Sequence, residues 1–176
     1  MTDKRSLRTD LRARRRAASG SIPAWPAFAT LLSPGLIVAS YVPVGGEADP
    51  AALETAALAA GCTLALPHVV DRATPLSFLS WIRDEPLVDG PFGLRQPAAH
   101  RDRVTPDIVL TPLVGFDRAG NRLGQGAGHY DRAFAAYPRA LRIGIALSVQ
   151  ETDQLRPDPW DMPLHMVATD REWIVV

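Results

Sequence analysis

Between residues 120 and 132 the chain reads Gly120-Asn121-Arg122-Leu123-Gly124-Gln125-Gly126-Ala127-Gly128-His129-Tyr130-Asp131-Arg132, with four glycines, two arginines and one aspartate in thirteen residues. Glycines at alternate positions let a backbone turn tightly and bring bare N–H groups against a ligand. Where such a loop enters a helix, those N–H groups and the helix dipole favour an anion, phosphate above all. Asp131 falls in the first turn of the helix expected from about His129 to Tyr137, a place from which a carboxylate can hold the Mg2+ that accompanies a nucleotide. A plainer reading stands beside this one. Asp117-Arg118-Ala119-Gly120-Asn121 has the composition of a hairpin turn, and the glycines could serve close packing alone.

The loop differs from the better-known phosphate loops. Its glycines give Gly-x-Gly-x-Gly, where a dinucleotide fingerprint needs Gly-x-Gly-x-x-Gly, and Glu151 does not end a strand as that fingerprint's acid would. A Walker A loop needs Gly-Lys-Ser/Thr, and a kinase-type loop needs a lysine on a following strand. The single lysine of the chain is Lys4, against eighteen arginines. Codon bias explains the arginine excess but not the one surviving lysine, whose compact charge suits a phosphate that moves or reacts.

The elements that must position these residues follow from periodicity and turn signals. The first eighteen residues read as a basic amphipathic helix with Leu7 and Leu11 four apart. Arg12, Arg14, Arg15 and Arg16 read as its solvated surface. Leu36 to Tyr41 reads as a buried strand, residues 43–50 as a loop, and Ala51 to Ala60 as a helix ending at Gly61. Thr63 to Leu66 is the next strand, closed by Pro67. From Asp71 to Thr105 the pattern is weakest, with strand candidates at Leu76 to Ile82 and Leu87-Val88. Ile108 to Leu113 and Arg142 to Leu147 are further apolar strands, and the tail from His165 is mixed. Strands that alternate with helices and are apolar throughout predict one α/β domain over residues 1–176. Its sheet should be mainly parallel, with helices on both faces in three α/β/α layers.

Composition sets limits on function. The chain has 176 residues, zero formal net charge and 47% hydrophobic residues, so bulk electrostatics gives no support for a nucleic-acid partner. No apolar run approaches the ~18–20 residues of a membrane span. Cys62 is the single cysteine, which excludes an internal disulfide and a cysteine-built zinc site. The start lacks the apolar stretch of a signal peptide. A cytoplasmic monomer is the expectation. His68, His100 and His165 lack metal-site spacing.

The segment Phe116-Asp117-Arg118-Ala119-Gly120-Asn121-Arg122-Leu123-Gly124-Gln125-Gly126-Ala127-Gly128-His129-Tyr130-Asp131 resembles the signature of the 5-formyltetrahydrofolate cyclo-ligase (5,10-methenyltetrahydrofolate synthetase) family, Phe-Asp-x-x-Gly-x-Arg-Leu-Gly-x-Gly-x-Gly-Tyr-Tyr-Asp. His129 stands where the family has its first tyrosine. Lys4-Arg5-Ser6-Leu7-Arg8 is similar to the family's N-terminal Lys-x-x-Leu-Arg, and Glu47 matches the position of a substrate-contacting glutamate. Phe92 to Pro97 is similar to a middle segment ending in Gln/Glu-Pro, and Trp160-Asp161 to a late His-Asp pair.

The resemblance implies a fold like that of NagB, RpiA and the CoA transferases. It also implies an ATP- and Mg2+-dependent ligase that closes 5-formyltetrahydrofolate, with or without a polyglutamate tail, to 5,10-methenyltetrahydrofolate. The formyl oxygen attacks the γ-phosphate, and N10 then closes the ring as phosphate leaves. On this reading Lys4 and Arg122 are catalytic. Lys4 to Arg8 and Arg122 to Tyr130 hold ATP, Asp131 and Asp161 hold the metal, and Val42, Glu47 and Phe92 line the folate pocket. Each has a plain alternative: an exposed basic helix face, a turn salt bridge, a loop acid, a core apolar side chain. His129 is either a tolerated aromatic replacement or a titrating group near phosphate. A non-catalytic relative binding nucleotide, folate or RNA through the same fold is the second functional expectation.

Overall fold

The structure is a computed structural model describing residues 3–176. Helix α1 (Lys4–Ala17) and the short α2 (Pro26–Ala29) precede the first strand, β1 (Ile37–Ala39). Then come α3 (Ala51–Ala59), β2 (Thr63–His68), β3 (Ser77–Ser80), β4 (Val88–Asp89), β5 (Arg95–Gln96), β6 (Arg103–Val104) and β7 (Ile108–Pro112). A hairpin of β8 (Gly115–Phe116) and β9 (Arg122–Leu123) leads to α4 (His129–Ala136), β10 (Leu141–Ile145), β11 (Met166–Ala168) and β12 (Trp173–Val175).

Eight strands form one sheet in the order β12-β11-β10-β7-β1-β2-β3-β6. The five central strands, β11 to β2, run parallel, and antiparallel strands close both edges. Period-two alternation divides the side chains between two buried layers. Val38, Leu64, Leu110 and Ile143 meet α2 and α3 on one face, whereas Ala39, Ala65 and Val109 meet Ala133 and Phe134 of α4 on the other. Burial on both faces is why these strands are apolar throughout. The second face is only partly helical. Beside α4 it is completed by the β8–β9 hairpin and Leu164, which pack on Val167 and Ile174.

Two departures from the sequence expectation bear on the site. Pro67 lies inside β2, opposite Phe78 of β3. On its other side the Ser40 N–H still reaches the Ala65 carbonyl; the next donor in that parallel ladder would be Pro67, which has none, so β2 continues beyond this point on its β3 side alone. Arg15, expected on the solvated surface, is buried, and its guanidinium donates to the Gly45 and Leu113 carbonyls.

The chain leaves β1 toward β2 and leaves β7 toward β10, in opposite directions along the sheet. The boundary between β1 and β7 is therefore a topological switch point, where a crevice opens beyond the carboxyl ends of the strands. Helix α1 lies beside that crevice. Its Leu11 is fully buried with Val114, Leu123 and Leu155. A Cβ on Gly115 would lie 2.4 Å from Leu11 Cδ1, so the bare Cα of Gly115 is what lets the helix seat. Leu11→Ala should remove this anchor at a cost of about 2–5 kcal/mol, read as a lower urea midpoint.

Candidate active site

The crevice is a cleft of about 590 Å3 lined by α1, the loop after β1, the stretch from Pro67 to Arg95, the glycine loop with the start of α4, and the proline-rich segment 157–163. Lys4, Arg8, Val42, Glu47, Phe92, Arg122, every residue from Leu123 to Asp131, and Asp161 all line it. Arg5, Ser6 and Leu7, grouped by resemblance with Lys4 and Arg8, do not. A helix turns about 100° per residue, so Arg5 and Ser6 face solvent while Leu7 packs beside Leu11. Positions 4 and 8 share the face that meets the cleft.

The glycine loop has the geometry its composition implied. Gly126 and Gly128 adopt φ of +104° and +66°, a region in which a side chain is strained. Gly128 is the N-cap of α4. The hairpin reading of residues 117–121 also holds, and it is the foundation of the loop. The buried Asp117 carboxylate accepts the Ala119, Asn121 and Leu155 backbone N–H groups and the Asn121 amide. That turn aims Arg122 across the cleft floor.

Arg122 donates to Asp131 Oδ1 at 2.5 Å and to the Met162 carbonyl at 2.7 Å, and its guanidinium lies 4.8 Å above the Phe134 ring. The Asp131 oxygen also accepts the Met162 N–H at 3.3 Å. Asp131 and the neighbour of Asp161 are thus tied together. Lys4 Nζ sits 2.6 Å from Asp158 and 3.7 Å from Asp161, while Arg8 holds the Gly124 carbonyl at 2.8 Å. Among the described residues no cluster of three or more His, Cys, Asp or Glu forms a metal cage. Mg2+ needs no such cage, since it usually binds protein through one or two carboxylates and takes its remaining ligands from water and phosphate.

Beside the glycine loop, the Glu47 carboxylate accepts the Val44 N–H at 3.1 Å and the Gln125 amide at 3.2 Å. Burial raises its pKa above the ordinary carboxylate value, partly opposed by those two hydrogen bonds. Burial strongly raises the pKa of the Tyr41 and Tyr130 hydroxyls that also line the cleft, keeping them neutral. His129 Nδ1 lies 3.3 Å from Arg132. Arginine can only donate, so Nδ1 is the acceptor. Burial, then Arg132 and Arg72, lower the His129 pKa below 6.5. The histidine is accordingly a neutral aromatic beside Phe92 at neutral pH, with ring centroids 6.5 Å apart.

Several contributors were given no role from sequence, and three of them bear on the site's charges and shape. Asp158 is the nearer partner of Lys4, hidden among prolines. Trp160 lines the cleft although 68% exposed. Arg15 anchors the loop that carries Glu47, and its position eleven residues after Lys4, on the same helix face, was the available signal.

The fold and cleft define an α/β protein with a cleft at the switch point of a parallel sheet, lined by cations and a glycine loop. Residues 1–170 match the model of the 5-formyltetrahydrofolate cyclo-ligase family, and the chain belongs to that family of ligases. It is 34% identical over 149 residues to 5-formyltetrahydrofolate cyclo-ligase of Mycolicibacterium smegmatis, covering 80% of this chain and 77% of that one. To the Haemophilus influenzae 5-formyltetrahydrofolate cyclo-ligase it is 38% identical over 95 residues, 51% of each chain. The solved structure of Aquifex aeolicus 5,10-methenyltetrahydrofolate synthetase superposes with a TM-score of 0.77 at 29% identity, over 98% of this chain and 92% of that one. No helix among the described residues is long and apolar enough to cross a membrane.

The Arg122–Asp131 pair sits with side chains only 6% and 19% exposed. Asp131→Ala should leave a buried guanidinium without its counter-ion and cost about 3 kcal/mol. The check is a lowered thermal midpoint of the ligand-free protein.

Proposed function

We propose that this chain catalyses the ATP- and Mg2+-dependent closure of 5-formyltetrahydrofolate to 5,10-methenyltetrahydrofolate. The observation that carries the reading is that one cleft brings two chemistries together. One part has three cations, Lys4, Arg8 and Arg122, around a glycine loop. The other is a carboxylate, Glu47, which touches that loop through Gln125, with Val42 and Phe92 along the same cleft.

The first part fits a triphosphate. A Cβ at Gly124 would meet no protein atom within 4 Å, so the protein's own packing does not demand glycine there. The bare backbone is best explained by a ligand that approaches it. Asp131 and Asp161 fit the accompanying cation, which would neutralise phosphate charge when bound. In the second part Glu47 can accept hydrogen bonds from the amino and N–H donors of a pterin.

An amide-like formyl oxygen is a poor leaving group. Its attack on the γ-phosphorus, with departure of ADP, converts it into phosphate. N10 then attacks the formyl carbon, phosphate leaves with the former formyl oxygen, and N10 loses its proton. Such chemistry needs positioning and charge neutralisation more than a protein nucleophile. Lys4 and Arg122 are the residues assigned to the transferring phosphoryl group. Both are held against carboxylates in the free protein, which keeps their charges in place before substrate arrives. Leu123 to Tyr130 supply the loop backbone around the phosphates.

The deciding experiment mixes the purified protein with 5-formyltetrahydrofolate, ATP and Mg2+ and follows the long-wavelength absorbance of the methenyl product. Product formation that requires ATP is expected; no product, or product indifferent to ATP, would sink the reading.

Glu47 supplies a pH test. Only the ionised carboxylate accepts through both oxygens, so kcat/KM for the folate should fall as pH drops through its raised pKa. Glu47→Gln should lower kcat/KM roughly 10-fold and abolish that acidic limb. The sign for stability is opposite. A raised carboxylate pKa contributes stability that is fully present below 4.5 and lost as pH rises through the folded value. The Gln variant should therefore be no less stable than the wild type at neutral pH.

A further inference from the structure

Helix α1 reaches both halves of the cleft through one stripe of cations. Lys4, Arg8, Arg12 and Arg15 are spaced by four, four and three residues and fall within one arc of the helix. Lys4 meets Asp158, Arg8 the Gly124 carbonyl, Arg12 the Gln125 side chain, and Arg15 the Gly45 carbonyl. The first two contacts belong to the phosphate part. The last two reach toward Glu47.

Gln125 is the joint between the halves. Its Oε1 accepts from Arg12 at 2.5 Å, and its Nε2 donates to Glu47 Oε1 at 3.2 Å. Arginine cannot accept a hydrogen bond, so the Arg12 contact fixes which way the amide faces: oxygen to Arg12, nitrogen to Glu47. The second Glu47 oxygen is held by the Val44 N–H, within the loop that Arg15 anchors at Gly45. One residue of the glycine loop thereby orients the carboxylate beside it. Gln125, Gly126 and Ala127 are exposed, and an anion bound by the loop would order them.

We infer that Gln125 is a positioning residue that couples the two ligand sites, so that a nucleotide ordering the glycine loop raises affinity for the pterin held by Glu47. The inference rests on the assignment of phosphate and pterin to the two parts of the cleft. Ordering of the loop fixes the Gln125 amide, which fixes the Glu47 carboxylate in its accepting orientation. By linkage the pterin must tighten nucleotide binding by the same factor. Arg12 acts one step further back, holding the amide from the far side.

The test is calorimetric titration of 5-formyltetrahydrofolate into the full chain, with and without a non-hydrolysable ATP analogue and Mg2+. For the wild type the nucleotide should lower the folate Kd roughly 5- to 10-fold. Gln125→Met keeps the bulk without the polar contacts and should bring that ratio below about twofold. Arg12→Ala should reduce it in the same direction, and Arg12→Lys, which keeps a donor, should restore part of it. Gln125 and Arg12 are at the surface, so loss of folding does not stand in the way. A ratio unchanged in Gln125→Met, or a wild-type ratio of one with both ligands bound, would overturn the coupling alone. Failure of the wild type to bind either ligand would instead overturn the functional reading and this inference with it.

Discussion

Everything in the cleft depends on the seating of α1. A helix carrying this many arginines repels itself and has little to bury except Leu7 and Leu11, and the place that accepts Leu11 is the backbone of Gly115. Once Leu11 is seated, the neighbouring positions are committed. Arg15 is drawn inside to two carbonyls, and Lys4, Arg8 and Arg12 are lined up along the crevice. The apolar contact supplies the docking energy, and the cations supply register along the cleft. A shift of one helical turn would carry Lys4 away from the aspartates and Arg8 away from the glycine loop together.

The parallel sheet supplies the other half of the arrangement. Because the chain departs from β1 and β7 in opposite directions, neither crossover covers the strand ends between them, and the loops that follow β1 and β7 face one another there. One loop brings Val42 and Glu47, the other the hairpin, Arg122 and the glycines. The Asp117 turn makes the second loop rigid at its base, whereas the segment 125–127 stays exposed. A buried, hydrogen-bonded base where Arg122 is aimed and an exposed tip come from adjacent stretches of one signature.

Much of this was legible in the chain itself. The first helix announced itself by period and the central strands by unbroken apolar runs, and Gly61 marked an end. Pro67 misled because a proline ends a strand only if its N–H would have been needed, and need depends on which neighbour is still paired. The region 71–105 was opaque because its strands are only two to four residues long, too short to express a period. Arg15 misled for a related reason: an arginine on a basic helix looks solvated until carbonyls are brought to meet it.

The residue types of the site were written locally. The glycines, Arg122 and Asp131 lie in one stretch, and their spacing implied a tight turn into a helix without any knowledge of the rest. Pairing was not local. That Lys4 faces Asp158 and that Gln125 reaches Glu47 are contacts between residues 154 and 78 apart in the chain. Sequence carries the period of a helix and the conformational freedom of a glycine because both act within a few residues. Which charges meet is decided by the switch point of the sheet and the docking of α1, and only the tertiary structure contains those.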